Sequence, residues 1–266
     1  MSSERLLQPL WNYILRDWGN LVSLWFFPAL LGWVVYVGVG LYFTLKDIGP
    51  LRSEATRLHK GDDDWPTWNK LLYIGGTQVG MYALMNAVLW IGLPYHVVMP
   101  ELAPTIWELV REFCICTLIG DFLMYLEHVV LHKIFFLYKH VHHVHHQFKT
   151  DLFSWTAGWV HPVELTSFAV CMIISPLILY PVHPLTLWIY LSVFVALLLE
   201  EHSGHDVWWS PNHLIPSVFG GAVPHDVHHV KVKTNYGFVF TIWDRIFGTY
   251  LAPVPIESCG DLKSNF

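Results

Sequence analysis

Three stretches of this 266-residue chain contain no Asp, Glu, Lys or Arg: Leu21 to Leu45, Leu71 to Met99 and Leu165 to Leu199. A helix needs about 20 residues to cross the hydrocarbon core of a bilayer. In lipid every backbone N–H and C=O must find its partner within the protein, so uncharged runs of this length dictate helices. The composition agrees, with 54% hydrophobic and only 14% charged residues, where a soluble domain carries about a quarter charged. The expected fold is therefore all-α, a polytopic membrane helix bundle of about four crossings.

Trp25 and Tyr42 sit near the ends of the first run, as interfacial aromatics do. Pro94 is expected to end the helix of the second, and Gly76 and Gly80 form a G-x-x-x-G spacing that predicts close approach of another helix. A further helix is expected from Thr105 to Lys133, with Asp121 in its middle. The third run is broken by Tyr180-Pro181-Val182-His183-Pro184 and reads as a tight hairpin whose arms are barely long enough to cross. The N-terminal 20 residues lack a cleavable signal pattern, so the first run reads as an uncleaved anchor. Basic residues gather in the 46–70 loop, which also holds Asp62-Asp63-Asp64, at Lys133, Lys139 and Lys149, and at Lys231, Lys233 and Arg245; the 93–105 loop and the hairpin turn have none. By the positive-inside rule the basic segments are cytoplasmic, and the histidine-rich segments fall on the same side as a helical cap.

The net charge of −6 and the absence of a Lys/Arg cluster exclude a nucleic-acid partner. Cys114, Cys116, Cys171 and Cys259 form no C-x-x-C pair and suggest no thiolate site. Histidine is the outlier: of 17, all but His59 and His96 lie between His128 and His229. His128-x-x-x-His132 places two imidazoles on one helical face, with Asp121 on the same stripe, where a carboxylate can orient a ligand ring. His142, His145 and His146 form H-x-x-H-H, a spacing that points three rings to one side, and His225, His228 and His229 repeat it. His140 and His143 are off register. Between the repeats come Glu201-His202-Ser203-Gly204-His205 and His161-Pro162-Val163-Glu164. Any one motif is compatible with a polar helix end or a pH-sensing patch. Together they supply more neutral imidazoles than one metal uses, since a zinc site takes about four ligands, and two metals are implied. The spacing does not choose the metal, because imidazole suits zinc, copper, iron and nickel.

The order H-x-x-x-H, H-x-x-H-H, H-x-x-H-H after membrane helices resembles the fatty acid hydroxylase / sterol desaturase superfamily, and within it the cholesterol 25-hydroxylase branch. Also similar are Leu7-Gln8-Pro9-Leu10-Trp11, Val144-His145-His146-Gln147, Glu201-His202-Ser203-Gly204 and Trp243 to Thr249. The resemblance implies N-terminal membrane helices over 1–105, a hydroxylase domain over 106–251 and a tail over 252–266. It implies a di-iron centre with His128, His132, His142, His145, His146, His225, His228 and His229 as ligands, His202 as a ninth and His161 as a further candidate; Asp121, on the stripe of His128, and His205 are also candidate ligands or supporting residues. It also implies O₂ as co-substrate, a lipid substrate with a sterol favoured, and an endoplasmic reticulum membrane with the histidine boxes facing the cytosol. Two positions depart from that branch: Pro224 stands where a histidine precedes the third box, and His205 stands where tyrosine follows His-Ser-Gly.

No dinucleotide fingerprint and no His-Pro-Gly-Gly segment is present, so electrons are expected from a separate donor, by resemblance cytochrome b5 or an NAD(P)H-dependent reductase. The alternatives within the class are a C4-methylsterol oxidase, a sterol desaturase or another alkyl-lipid monooxygenase. From another class, a histidine-rich metal transporter would place its ligands within the crossing helices. Here they lie at helix ends and in the cap.

Overall fold

A computed structural model of the chain describes residues 5–48, 52–61, 65–92, 96–179 and 181–253. Nine α-helices and three short 3₁₀ stretches account for the regular structure among these residues, with no strand beyond isolated bridges. The helices are α1 (Gln8–Val22), α2 (Phe27–Asp47), α3 (Trp68–Gly92), α4 (Ile106–Lys133), α5 (Phe135–His140), α6 (Pro162–Ile178), α7 (Pro184–Glu201), α8 (Ala222–Lys231) and α9 (Ile242–Phe247). The expected acidic run Asp62–Asp64, the helix end at Pro94, Tyr180 of the hairpin turn, Cys259 and the tail after Pro253 lie outside the described residues.

The bundle is ordered by contact: α3 packs on α2, α2 on α7, α7 on α4, and α4 on α6. Among the described residues three helices, α2, α4 and α7, are long and apolar enough to cross a membrane, and α6 is a shorter apolar helix. The expected hairpin is thus α6 and α7. α3 has the length, at 25 residues, but Asn69, Lys70, Thr77, Gln78 and Asn86 dilute its apolar character.

Local sequence sets where these helices start. Thr105 opens α4 with a capping box, its hydroxyl accepting from the Glu108 N–H at 3.1 Å while the Glu108 carboxylate accepts from the Thr105 N–H at 2.7 Å. α6 and α7 begin alike, on His-Pro. His161 Nδ1 accepts from the Val163 N–H at 3.2 Å and His183 Nδ1 from the Leu185 N–H at 3.1 Å, with a proline in each first turn.

Close helix approach occurs at glycines other than those expected. A Cβ added at Gly76 or Gly80 would meet no described atom within 4 Å. At Gly120 of α4 it would collide with the Tyr190 hydroxyl of α7, and at Gly40 of α2 it would lie 2.6 Å from the Trp155 ring. The G-x-x-x-G pattern on α3 therefore marks an open face, and the tight crossings lie under Tyr190 and Trp155.

The two ends of the bundle differ. At one end α1, an element with no long apolar run to reveal it, lies against the starts of α4 and α7. Trp11 is buried there, its indole N–H donating to the Pro100 carbonyl at 2.8 Å and its ring edge-on to His183. At the other end the chain leaves α2, α4 and α7 and enters α3 and α6, and the cap of short helices and 3₁₀ turns is built.

Candidate metal centre

The eight box histidines and His202, the ninth implied by the resemblance, all lie at that second end, in two groups. His128, His132, His142, His146 and His228 form one; His145, His202, His225 and His229 form the other, with the potential ligand atoms of each group within 4.8 Å of one another. The elements supply them in a crossed pattern. The last turns of α4 give His128 and His132. The 3₁₀ stretch His142–Gln147 sends His142 and His146 into the first group and His145 into the second. Helix α8 does the reverse, sending His225 and His229 into the second group and His228 into the first. The expectation that each H-x-x-H-H presents three rings to one side is corrected. The i and i+4 rings enter one group and the i+3 ring the other, so each box serves both groups. The groups abut: the His146 and His229 ring centroids are 4.7 Å apart.

Hydrogen bonds to Nδ1 fix which nitrogen faces inward. His128 donates from Nδ1 to the Tyr236 carbonyl at 2.9 Å, His228 to that of Thr234 at 2.7 Å, His202 to that of Leu198 at 2.8 Å and His229 to that of Phe148 at 2.9 Å. His142 donates from Nδ1 to the Glu164 carboxylate at 2.8 Å. A neutral imidazole has one N–H, so in these five rings Nε2 carries only a lone pair. Yet Nε2 atoms meet at 2.8–3.2 Å in the first group and at 2.9–3.1 Å in the second. Between His128 and His142, 3.2 Å apart, both nitrogens carry lone pairs, which repel unless a cation lies between them. With metal–nitrogen bonds of about 2.0–2.1 Å, neighbouring ligand nitrogens lie about 2.9 Å apart in an octahedron and about 3.3 Å in a tetrahedron. The donor set fits two transition-metal ions.

Burial keeps the rings ready. Desolvation, with the neighbouring imidazoles adding to it, holds His142, His145, His146, His202, His225 and His228 well below the ordinary histidine range. Desolvation also lowers His229, to about 4. These imidazoles are neutral at physiological pH, the form that binds a metal. His132 is the one member of the nine that is not fully buried, and the first group is accessible on its side. The Tyr236 ring lies 5.0 Å from that of His132, and burial raises the Tyr236 phenol to about 12.

The other three expected site residues stand apart from the nine. His161 caps α6. His205 pairs with the Asp47 carboxylate at 3.1 Å and with the Thr56 hydroxyl at 3.0 Å, tying the loop after His202 to the end of α2. Asp121 accepts from the Val239 and Phe240 N–H groups at 2.7 and 3.2 Å and from the Trp243 indole at 2.8 Å. It holds the 236–243 segment, whose Tyr236 carbonyl orients His128, and none of these three partners is a histidine. Among the described residues the carboxylate within hydrogen-bond distance of a member of the nine is Glu164, with Glu201 farther off at 3.8 Å from His202 Nδ1. The His161-Pro162-Val163-Glu164 segment is visible in the sequence, but the residue that reaches the centre is its last and not its first. The carbonyls of Leu198, Thr234, Phe148 and Tyr236 leave no mark in the sequence. His140 and His143 are exposed.

The fatty acid hydroxylase family profile matches residues 113–249. The chain is 32% identical over 254 residues to cholesterol 25-hydroxylase of Homo sapiens, covering 93% of this chain and 92% of that one. It is 29% identical over 272 residues to cholesterol 25-hydroxylase-like protein 2 of Danio rerio, covering 97% and 94%. A Dictyostelium discoideum protein provisionally named as a methylsterol monooxygenase is 31% identical over 253 residues, covering 93% and 91%. No solved structure matches the chain.

Proposed function

The chain belongs to the fatty acid hydroxylase family and is an oxidoreductase, and on that premise we propose that it hydroxylates a sterol with O₂ at a di-iron centre held by the nine imidazoles. The observation that carries this reading is the convergence of neutral, inward-facing Nε2 atoms in two abutting groups. Two bound irons would supply the redox capacity to cleave O₂ and oxidise an unactivated C–H bond. The balance is substrate C–H plus O₂, two electrons and two protons giving C–OH and water. The electrons come from a separate donor, cytochrome b5 or an NAD(P)H-dependent reductase.

The residues of the chain do the rest. The five Nδ1–H donors lock ring orientation before a metal arrives, so binding costs little reorganisation. All-imidazole ligation adds no negative charge, which leaves the centre cationic and favours anions of reduced oxygen. Glu164 contributes by orienting the His142 ring through Nδ1. Burial of eight of the nine rings excludes bulk water, while the partly open side at His132 leaves room for a substrate carbon.

The membrane is the endoplasmic reticulum and the centre faces the cytosol. The orientation is supported by the basic residues Lys46, Lys133 and Lys139, which leave the bundle at the end that holds the imidazoles.

A second reading, oxidation of a C4-methyl group, is favoured by the near-equal identity to the Dictyostelium protein. One assay separates the two. Membranes containing the chain are supplied with cholesterol or a 4-methylsterol, O₂ and NADPH, and products are identified by mass spectrometry. A side-chain alcohol supports the first reading and a C4-oxidised product the second. His145→Ala and His228→Ala, one from each group, should abolish either product; equal yield from wild type and both variants contradicts the reading.

A further inference from the structure

Outside the spanning helices, one cap segment is unusually apolar for a solvent-facing loop. No Asp, Glu, Lys or Arg lies between Asp206 and Asp226. Within this stretch Trp208 is 86%, Leu214 72% and Ile215 50% exposed. A single exposed apolar side chain needs no explanation, but three in eight consecutive uncharged residues do.

The depth of this loop is set by its packing. The Trp209 ring lies 6.2 Å from that of Tyr42 and 6.0 Å from that of Phe43. Both belong to the last turns of α2, whose Leu41, Tyr42 and Leu45 are exposed on the surface of a helix long enough to span a membrane. At 1.5 Å rise per residue, Tyr42 lies about 6 Å inside the polar end marked by Lys46. The loop therefore stands beside the final turn of α2, and its apolar side chains continue that helix's lipid-facing surface. Of its polar side chains, Ser210 is buried and donates to the Glu200 carboxylate at 2.5 Å, and the exposed His213 is paired with Asp206 at 2.6 Å. Amphipathic indoles favour this depth, with the ring in lipid and the N–H near the headgroups.

We propose that the 207–218 segment dips into the headgroup–acyl boundary of the bilayer, placing Trp208, Leu214 and Ile215 in lipid. The segment joins His202 to α8, so both of its flanks carry imidazoles of the second group. Cap insertion thus seats that group against the membrane surface and not above it in solvent. The proposal rests on α2 spanning the bilayer and is independent of the reaction catalysed.

The test uses the full chain in phosphatidylcholine vesicles, native cysteines replaced by Ser or Ala, with a nitroxide at Trp208→Cys or Ile215→Cys. Leu41→Cys serves as the lipid reference and Ala55→Cys, an exposed position of the 52–61 loop, as the water reference. Labels at 208 and 215 should match position 41, with frequent collisions with O₂ and rare ones with a water-soluble nickel chelate. Collisions like those at 55 would overturn the proposal, and shielding from both reagents, as by a second protein copy, would overturn it too. A photoactivatable phosphatidylcholine checks the unaltered chain. It should crosslink the 207–218 peptide as it does the end of α2, and crosslinks at α2 alone would contradict insertion.

Discussion

An imidazole that gives its Nδ1 proton to a carbonyl or carboxylate has only Nε2 left for a metal, and five of the nine rings here are held that way. The histidines were legible in the sequence because i, i+4 spacing places rings on one helical face. Their division between two groups was not, because it depends on where the 3₁₀ stretch and α8 point their i+3 rings. The Nδ1 acceptors were invisible for a simpler reason: any residue type supplies a carbonyl. Glu164 is the exception, and replacing it has a defined consequence. Glu164→Ala leaves the His142 Nδ1–H unpaired and frees the ring to rotate. Residues that orient a metal ligand typically contribute 10- to 100-fold in metal affinity or activity, so the first group should lose metal at roughly that factor while the second keeps it. Competition with a graded chelator, read as ions retained per chain, checks this; equal retention by wild type and variant contradicts it.

At the scale of elements, charge-free length marked α2, α3 and the α6–α7 hairpin, because lipid requires it of a spanning helix. α3 then falls short in apolar character, while α4 has spanning length and apolarity although it carries Glu108, Arg111, Glu112 and Asp121. Charge-free length missed α1, whose apolar positions alternate with polar ones and are covered by the starts of α4 and α7. Small-residue spacing misled on α3, since a glycine permits close approach without causing it. The contrast gives a paired prediction. Gly120→Ala places a methyl against Tyr190, and overpacking of this kind costs about 1–3 kcal/mol. Gly76→Ala meets open space and should be neutral or slightly stabilising. Unfolding in mild detergent, followed by circular dichroism, should rank Gly120→Ala below wild type and Gly76→Ala level with it or above. The reverse order would show that the α4–α7 crossing is looser than described.

At the scale of the molecule, a buried cluster of neutral histidines makes the metal-free fold sensitive to acid. His229 titrates near 6.5 when unfolded, and burial lowers it to about 4 in the folded, metal-free chain. As pH falls, the unfolded state takes up protons first. Stability present above about 6.5 is therefore lost progressively down to about 4, and the other depressed imidazoles act in the same direction. Chelated protein should show a falling midpoint of thermal unfolding across that window, and a midpoint that rises or stays level would contradict neutral burial. Both the bundle and the cap serve one end, bringing residues up to 101 positions apart, His128 to His229, around two adjacent sites. The most direct test of that claim is elemental analysis of purified, catalytically active chain. The arrangement predicts two iron ions per polypeptide, falling together with activity on chelation. An active preparation that holds one ion or none would contradict it.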